Sequence, residues 1–166
     1  SDITLGIVPL GSGNGLATHL GLNRNIRKAL ITIRDGSVTR MDVGQVGENY
    51  FFSNCGTGYM AEVIDHYDKI PQRKLIGYFK AAFMALYKLH RPGELTIRIG
   101  SNHYYSKHVF VSNSNTMGYQ MSLTPLASVQ DGLLDIVILP LHSNWKFVNF
   151  CLFALFKKHH LVKGVK

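Results

Sequence analysis

The sequence has few cysteines and few acidic residues, and it lacks an apolar run long enough to cross a bilayer. Its two cysteines, Cys55 and Cys151, lie far apart and match neither a disulfide framework nor a C-x-x-C site. The most apolar segment, FVNFCLFALF, is much shorter than the roughly 20 residues that a membrane-spanning helix needs. No basic, apolar leader opens the chain. We therefore expect a reduced, cytoplasmic protein that is soluble or, at most, peripheral at the inner membrane surface.

Acidic residues are outnumbered by basic ones. The chain contains 18 Lys and Arg against 10 Asp and Glu, which gives a formal net charge of +8. Such a balance favours polyanionic partners, namely nucleic acid, nucleotide phosphates or an acidic lipid surface. The cations are scattered and show neither a recognition helix nor a regular series of aromatics, so we expect no nucleic-acid partner. An ordinary solvated basic surface remains the alternative. The eight histidines lack ligand spacing, which gives zinc chemistry no support.

Hydrophobic periodicity divides the chain into an α/β part and a mainly β part. Residues 4–9 predict a strand, Gly15–Leu20 begins a helix, and NIRKALITIRDG predicts a second helix closed by Asp35 and Gly36. After residue 36 the pattern becomes mainly β. We predict hairpins in VTRMDVGQV with YFFSNCG and in ELTIRIG with HYYSKHVFVSNS, a strand in GLLDIVILP, and helices in YMAEVIDHY, KLIGYFKAAFMALYKLH and NWKFVNFCLFALFKKHH. The predicted fold class is α+β.

A glycine-rich loop follows the first predicted strand. Its small residues let backbone N–H groups approach an anion, and the helix that follows adds the positive end of its dipole. The candidate phosphate-binding residues are Gly11, Ser12, Gly13 and Asn14. A tight turn that merely needs positive φ angles is the alternative, and Asn14 would tolerate such a turn.

Two established phosphate motifs do not fit this loop. The dinucleotide fingerprint G-x-G-x-x-G needs glycine where Leu16 stands. A Walker A loop needs Gly-Lys followed by Ser or Thr, but the chain continues Leu16-Ala17-Thr18. The loop must therefore belong to another class of phosphate site, if it binds phosphate.

A collinear set of segments resembles the diacylglycerol kinase catalytic-domain family, which includes bacterial lipid kinases and sphingosine and ceramide kinases. The segments are PLGSGNGLATHLGL, MDVGQV, NYFFSNCGTGY, GYF, VFVSNS and TPLASVQDGLLDIVIL. The resemblance implies an α/β nucleotide-binding domain, of which residues 1–36 are the C-terminal piece. It also implies a β-sandwich second domain with inserted helices over residues 37–166.

The resemblance also implies an activity: transfer of the γ-phosphate of ATP to a lipid hydroxyl with Mg²⁺. Family members carry a Gly-Gly-Asp-Gly-Thr type loop before this point and an acidic motif near their C-terminus, and neither occurs in this sequence. We expect the catalytic base beyond residue 166 and expect the chain to be inactive alone. Gly15 stands where many diacylglycerol kinases have aspartate and sphingosine and ceramide kinases do not, so the acceptor lipid stays undecided.

Two acidic residues receive roles from the resemblance. Asp131, in SVQDGLLD with Asp135 four residues later, is the candidate Mg²⁺ ligand, and an ordinary Asp-Gly turn is the alternative. Glu62 falls near the acidic residue that sphingosine kinases place against the substrate head group; a glutamate that favours a helix N-terminus is the alternative. Asp42 is either a strand-entry cap or a functional carboxylate. Asn54 and Asn113, each at the end of a predicted strand, shape either the cleft between the domains or only its turns.

The predicted partners are thus ATP, a lipid substrate and an anionic membrane surface, with a homodimer left open. Trp145, Phe147 and Phe150 around Lys146 are candidate membrane anchors or core residues. Two other functions remain: a non-catalytic lipid- or anion-binding module, and a soluble kinase related to the NAD kinases.

Overall fold

The computed structural model describes residues 3–71, 74–88, 95–118 and 121–139, and it confirms the mixed helix and sheet architecture. The helices are α1 (Gly15–His19), α2 (Ile26–Asp35), α3 (Tyr59–Lys69) and α4 (Lys74–Lys88). The strands are β1 (Gly44–Val46), β2 (Asn49–Phe51), β3 (Asn54–Thr57), β4 (Leu95–Ile99), β5 (Asn102–Ser106), β6 (Val109–Ser112) and β7 (Asp135–Ile138). The helix predicted in NWKFVNFCLFALFKKHH, with Trp145, lies outside the described residues.

Three antiparallel sheets form in this part of the chain. Strands β1 and β2 make a hairpin, β4 and β5 make a second hairpin, and β6 is the central strand of the sheet β3-β6-β7. Both predicted hairpins are confirmed at their turns, but each is shorter than predicted. YFFSNCG and HYYSKHVFVSNS each divide into two strands, and the second part of each pairs across the chain, as Cys55 opposite Val111 shows.

The strand predicted over residues 4–9 is wrong: the segment forms no strand in the structure. A strand needs a neighbour to satisfy its backbone groups, and no described segment pairs with this one. The helix predictions that follow are confirmed. Helix α2 begins where the Asn25 side chain accepts a hydrogen bond from the Lys28 amide at 3.2 Å, and it ends where Gly36 donates to the Thr32 carbonyl at 2.8 Å.

The core lies between the helical hairpin α3–α4 and the sheet β3-β6-β7. Val63 of α3 and Ala81 of α4 are almost fully buried, and they belong to one cluster with Phe110 of β6 and Val137 of β7. The Tyr59 hydroxyl donates to the Ala82 carbonyl at 2.8 Å and so ties the start of α3 to the middle of α4. Helices on one face of an antiparallel sheet are typical of α+β folds.

A buried histidine from the sheet caps helix α3. The residue before the helix, Gly58, has φ +82°, and a Cβ there would collide with the Lys107 carbonyl and the His108 ring. This close approach lets His108 Nδ1 accept a hydrogen bond from the Tyr59 amide at 3.1 Å. Burial, with a smaller contribution from the Lys107 charge, lowers the pKa of His108 to about 4. The imidazole is therefore neutral in the folded protein at pH 7.

The stability of the protein should fall as the pH drops from about 6.5 to about 4. Across this interval the unfolded chain protonates His108 and the folded chain does not, because its pKa of about 4 lies below the ordinary value of 6.5. His108→Asn should show a smaller fall, since the amide oxygen accepts from Tyr59 at every pH. Urea unfolding of both proteins across the interval measures the difference. Equal slopes would contradict this role for His108.

Candidate functional site

The glycine-rich loop presents backbone donors that the described protein does not use. Within the described residues, no amide from Gly11 to Leu16 donates a hydrogen bond to a protein group. The loop is also accessible, because Gly11 and Ser12 are exposed and Gly13 and Asn14 are half-buried. Accessible amides in a turn of small residues are the arrangement that phosphate-binding loops use.

Asn14 shapes the loop from inside. Its backbone is left-handed, with φ 47° and ψ 45°, as the alternative interpretation of this residue expected. Its side-chain nitrogen also donates to the Gly11 carbonyl at 2.5 Å and lies 3.5 Å from the Pro9 carbonyl. The Pro9 and Gly11 carbonyls therefore face the Asn14 side chain and not the backbone amides of the loop. These amides remain available to another acceptor.

The loop rests directly on the segment that follows β6. A Cβ built on Gly15 would lie 2.7 Å from the Thr116 carbonyl oxygen and 2.8 Å from the Met117 carbonyl group. A Cβ on Gly118 would lie 3.6 Å from the Gly13 Cα. These backbones therefore pack without intervening side chains.

A polar pair next to the glycine contact holds α1 on the same segment. His19 Nδ1 lies 2.6 Å from Asn115 Oδ1 and 3.1 Å from the Asn115 backbone nitrogen. Sequence reasoning missed this pairing, because the two residues are separated by almost a hundred positions and nothing in the local pattern links them. The loop consequently faces the β-rich part of the chain at a junction between residues 11–19 and residues 115–118.

Buried polar side chains continue the junction into the sheet. Asn113 is fully buried, and its side-chain nitrogen donates to the Asp42 carbonyl at 2.8 Å and the Phe52 carbonyl at 3.0 Å. Ser53 Oγ and Ser114 Oγ lie 2.6 Å apart, and the Asn54 amide lies 2.8 Å from Ser53 Oγ. Asn54 and Asn113 thus hold neighbouring segments of the fold together; that they shape a cleft stays a prediction.

Asp131 lies in an exposed turn that a second aspartate supports. Asp131 Oδ1 accepts from the Leu133 amide at 3.0 Å, and Asp42 Oδ2 accepts from the Gly132 amide at 2.8 Å. Asp42, which precedes β1 in the chain, therefore also stabilises this turn. Burial, and secondarily the Asp131 charge, raise the pKa of Asp135 above its ordinary value. The turn thus brings the carboxylates of Asp131, Asp42 and Asp135 near one another. Across the described ranges, no three His, Cys, Asp or Glu side chains form a metal-binding group.

Glu62 lies on the first turn of α3 and lines a pocket of about 370 Å³. The pocket is walled by Thr57, Gly58, Ala61, Glu62, Asp65, Leu95 and Lys107. The pocket lies at the Thr57 end of β3, and the glycine loop lies toward the Asn54 end. The structure therefore does not place Glu62 beside the loop. Within the described part of the chain, Asp131 likewise makes no hydrogen bond to the glycine loop.

Two protein families match this chain, one at each end. Residues 1–46 match the family described as diacylglycerol kinase catalytic domain. Residues 53–163, more than half of the chain, match the family described as YegS C-terminal NAD kinase beta sandwich-like domain. This chain belongs to the diacylglycerol kinase and YegS-like lipid kinase family.

Relatives of this kinase family are similar along most of the chain. A protein named Diacylglycerol kinase from Bacillus subtilis is 30% identical over 165 residues, which cover 94% of this chain and 53% of the relative. A protein named Probable lipid kinase YegS-like from Chromohalobacter salexigens is 31% identical over 81% of this chain and 44% of its own. The chain thus spans about half the length of these relatives.

Solved structures of diacylglycerol kinases support the fold. A crystal structure from Bacillus anthracis superposes with a TM-score of 0.68 at 24% identity, covering 95% of this chain and 52% of that protein. A second structure from the same organism gives 0.67 at 22% identity. The β-sandwich-like second domain expected from the resemblance is therefore confirmed as the fold class. The division at residues 36 and 37 stays a prediction.

Gly15→Ala should destabilise the junction. The new methyl group would meet backbone atoms at 2.7–2.8 Å, and backbone moves less easily than a side chain. We expect a loss of about 1–3 kcal/mol in the free energy of unfolding, measured by urea titration. The control is Ser12→Ala, which changes an exposed residue of the same loop and should shift stability by less than about 0.5 kcal/mol. An unchanged Gly15→Ala protein would contradict the close packing.

Proposed function

We propose that the full-length protein containing this chain is an ATP- and Mg²⁺-dependent lipid kinase that transfers the γ-phosphate to a lipid hydroxyl. The single observation that carries the proposal is the glycine loop, whose accessible amides from Gly11 to Leu16 donate to no described group at the junction. Family membership supports the reaction class. The proposed protein is cytoplasmic and acts at the inner membrane surface.

The loop's contribution to phosphoryl transfer would be positioning and charge neutralisation. Phosphate oxygens carry most of the charge that develops in this reaction, so fixed N–H donors lower the barrier without covalent chemistry. Gly11, Ser12 and Gly13 would supply these donors, and Asn14 would hold the loop open through its bond to the Gly11 carbonyl. The attacking hydroxyl needs a base, which we place outside this chain.

Mg²⁺ would be held near Asp131. Carboxylate and carbonyl oxygens are the ligands that this hard cation prefers, and the turn brings Asp131 close to Asp135 and Asp42. The donor set fits in chemical type, but it needs water or substrate oxygens to complete a shell, because the described residues supply no group of three side-chain ligands. When bound, the ion would offset the negative charges of Asp131 and Asp135.

The α3 pocket is our candidate for the polar part of the lipid. It combines carboxylates at Glu62 and Asp65 with an ammonium at Lys107, a mixed set suited to a head group with hydroxyls or an amine. Leu95 at its edge offers an apolar contact.

The direct test offers the full-length protein radiolabelled ATP, Mg²⁺ and separate diacylglycerol, sphingoid and phosphatidylglycerol lipids. The proposal expects a labelled phospholipid with at least one of them. Label in NAD alone would instead establish the soluble NAD-kinase-like function. Lipid binding without label in any acceptor would favour the non-catalytic module.

Asn14→Ala should weaken ATP use in the full-length protein. It removes the bond to the Gly11 carbonyl and places alanine at φ 47°, so the loop should lose its shape. We expect the KM for ATP to rise about tenfold, with little change in the KM for lipid. Asn14→Gly keeps the left-handed backbone and should fall between the two proteins. A KM for ATP equal to wild type in both variants would remove the loop from the mechanism.

Mg²⁺ should raise the Tm of the protein through Asp131. Binding to the folded state alone stabilises it by mass action, and Asp131→Asn should abolish the increase. Asp68→Asn is the matched control, because Asp68 is an exposed carboxylate on α3, away from this turn. Differential scanning calorimetry with and without Mg²⁺ measures the effect. The same increase in Asp131→Asn as in wild type would place the cation elsewhere.

A further inference from the structure

The pocket at the start of α3 has walls from two parts of the chain that are distant in sequence. One wall is the end of β3 and the first two turns of α3, from Thr57 to Asp65. The other contains Leu95 of β4 and Lys107, which lies between β5 and β6. A binding site built from separate elements keeps one geometry only if supporting residues hold those elements together.

His108 connects the two walls. Its Nδ1 accepts a hydrogen bond from the Tyr59 amide at 3.1 Å, and both its ring and the Lys107 carbonyl lie directly against Gly58. The first amides of a helix have no partner within the helix, and Gly58 has no side chain with which to cap them. The sheet supplies the acceptor instead, through a side chain next to the pocket.

The backbone of His108 is itself fixed to the sheet. The buried Ser106 Oγ accepts from the His108 amide at 3.0 Å and lies 2.7 Å from the carbonyl oxygen of Leu139, which follows β7. The Leu139 amide in turn donates to the His108 carbonyl at 3.1 Å. Since the His108 side chain is also buried, the imidazole keeps one position relative to the sheet. The first turn of α3 is therefore placed against a rigid acceptor.

We propose that His108 is a positioning residue for the candidate head-group pocket: by accepting from the Tyr59 amide, it holds the α3 wall with Glu62 in a fixed place relative to Lys107. The inference deepens the proposed lipid kinase function and rests on it for the occupant of the pocket. His108 does not itself line the pocket, so it acts on the lipid through α3. Without the acceptor the first turn of α3 loosens, and Glu62 no longer meets the head group in one geometry.

The test compares His108→Asn with His108→Gln in the full-length protein. Asparagine carries its oxygen on Cγ, where histidine carries Nδ1, whereas glutamine carries its oxygen one bond further from the backbone. Both variants lose the ring, so any effect of the lost ring is common to them. Amide hydrogen exchange should be about tenfold faster at Tyr59 in His108→Gln than in His108→Asn.

Kinetics with a lipid that wild type phosphorylates measure the effect on the pocket. The KM for this lipid should rise about tenfold in His108→Gln and stay within about twofold of wild type in His108→Asn. The kcat and the KM for ATP should change little in either variant. A purely structural role would instead reduce the amount of folded enzyme, and so kcat, at an unchanged KM for lipid. That result, or an equal KM for lipid in the two variants, would overturn the proposal.

Hydrogen exchange separates this inference from the kinase proposal. If wild type phosphorylated no lipid, the kinase proposal would fail, and exchange alone would decide whether His108 holds the α3 wall. Faster exchange at Tyr59 in His108→Gln than in His108→Asn would support that role, and equal exchange would overturn it. If neither variant folded, wild type would decide: a Tyr59 amide that exchanges more slowly than the Met60 amide supports the role, and one that exchanges equally fast overturns it.

Discussion

The contact between two stretches of bare backbone organises this molecule. Gly15 lies against the carbonyl groups of Thr116 and Met117, where there is no room for a side chain, and Gly13 is in van der Waals contact with Gly118. The hydrogen-bonded pair of His19 and Asn115 holds the edge of the same contact. The loop that carries the unused amides is therefore fixed to the β-rich part of the chain.

Close approach through small residues recurs elsewhere in the fold. Gly58 lets the His108 ring reach the start of α3, and a line of buried small residues, Gly77, Ala81 and Ala85, lets α4 pack on α3. In each case a missing side chain allows a hydrogen bond or a helix contact that a larger residue would prevent. On helix α4 a large residue, Phe83, is left exposed.

The proposed kinase therefore separates its tasks among different elements. The loop at Gly11–Asn14 offers phosphate donors, the turn at Asp131 offers carboxylates, and the pocket at Glu62 offers a mixed set of charges. These features lie on one chain that spans about half the length of its relatives.

Local sequence determined the helices, both hairpin turns and the glycine loop, because periodicity, the Asn25 cap and the turn glycines act over a few residues. The order of the quoted motifs along the chain was enough to predict the family. Tertiary structure alone decided the rest: residues 4–9 form no strand, the second parts of two predicted strands pair with each other, and His19 meets Asn115. These outcomes depend on which distant backbone groups and surfaces meet, and no local pattern in the sequence contains that information.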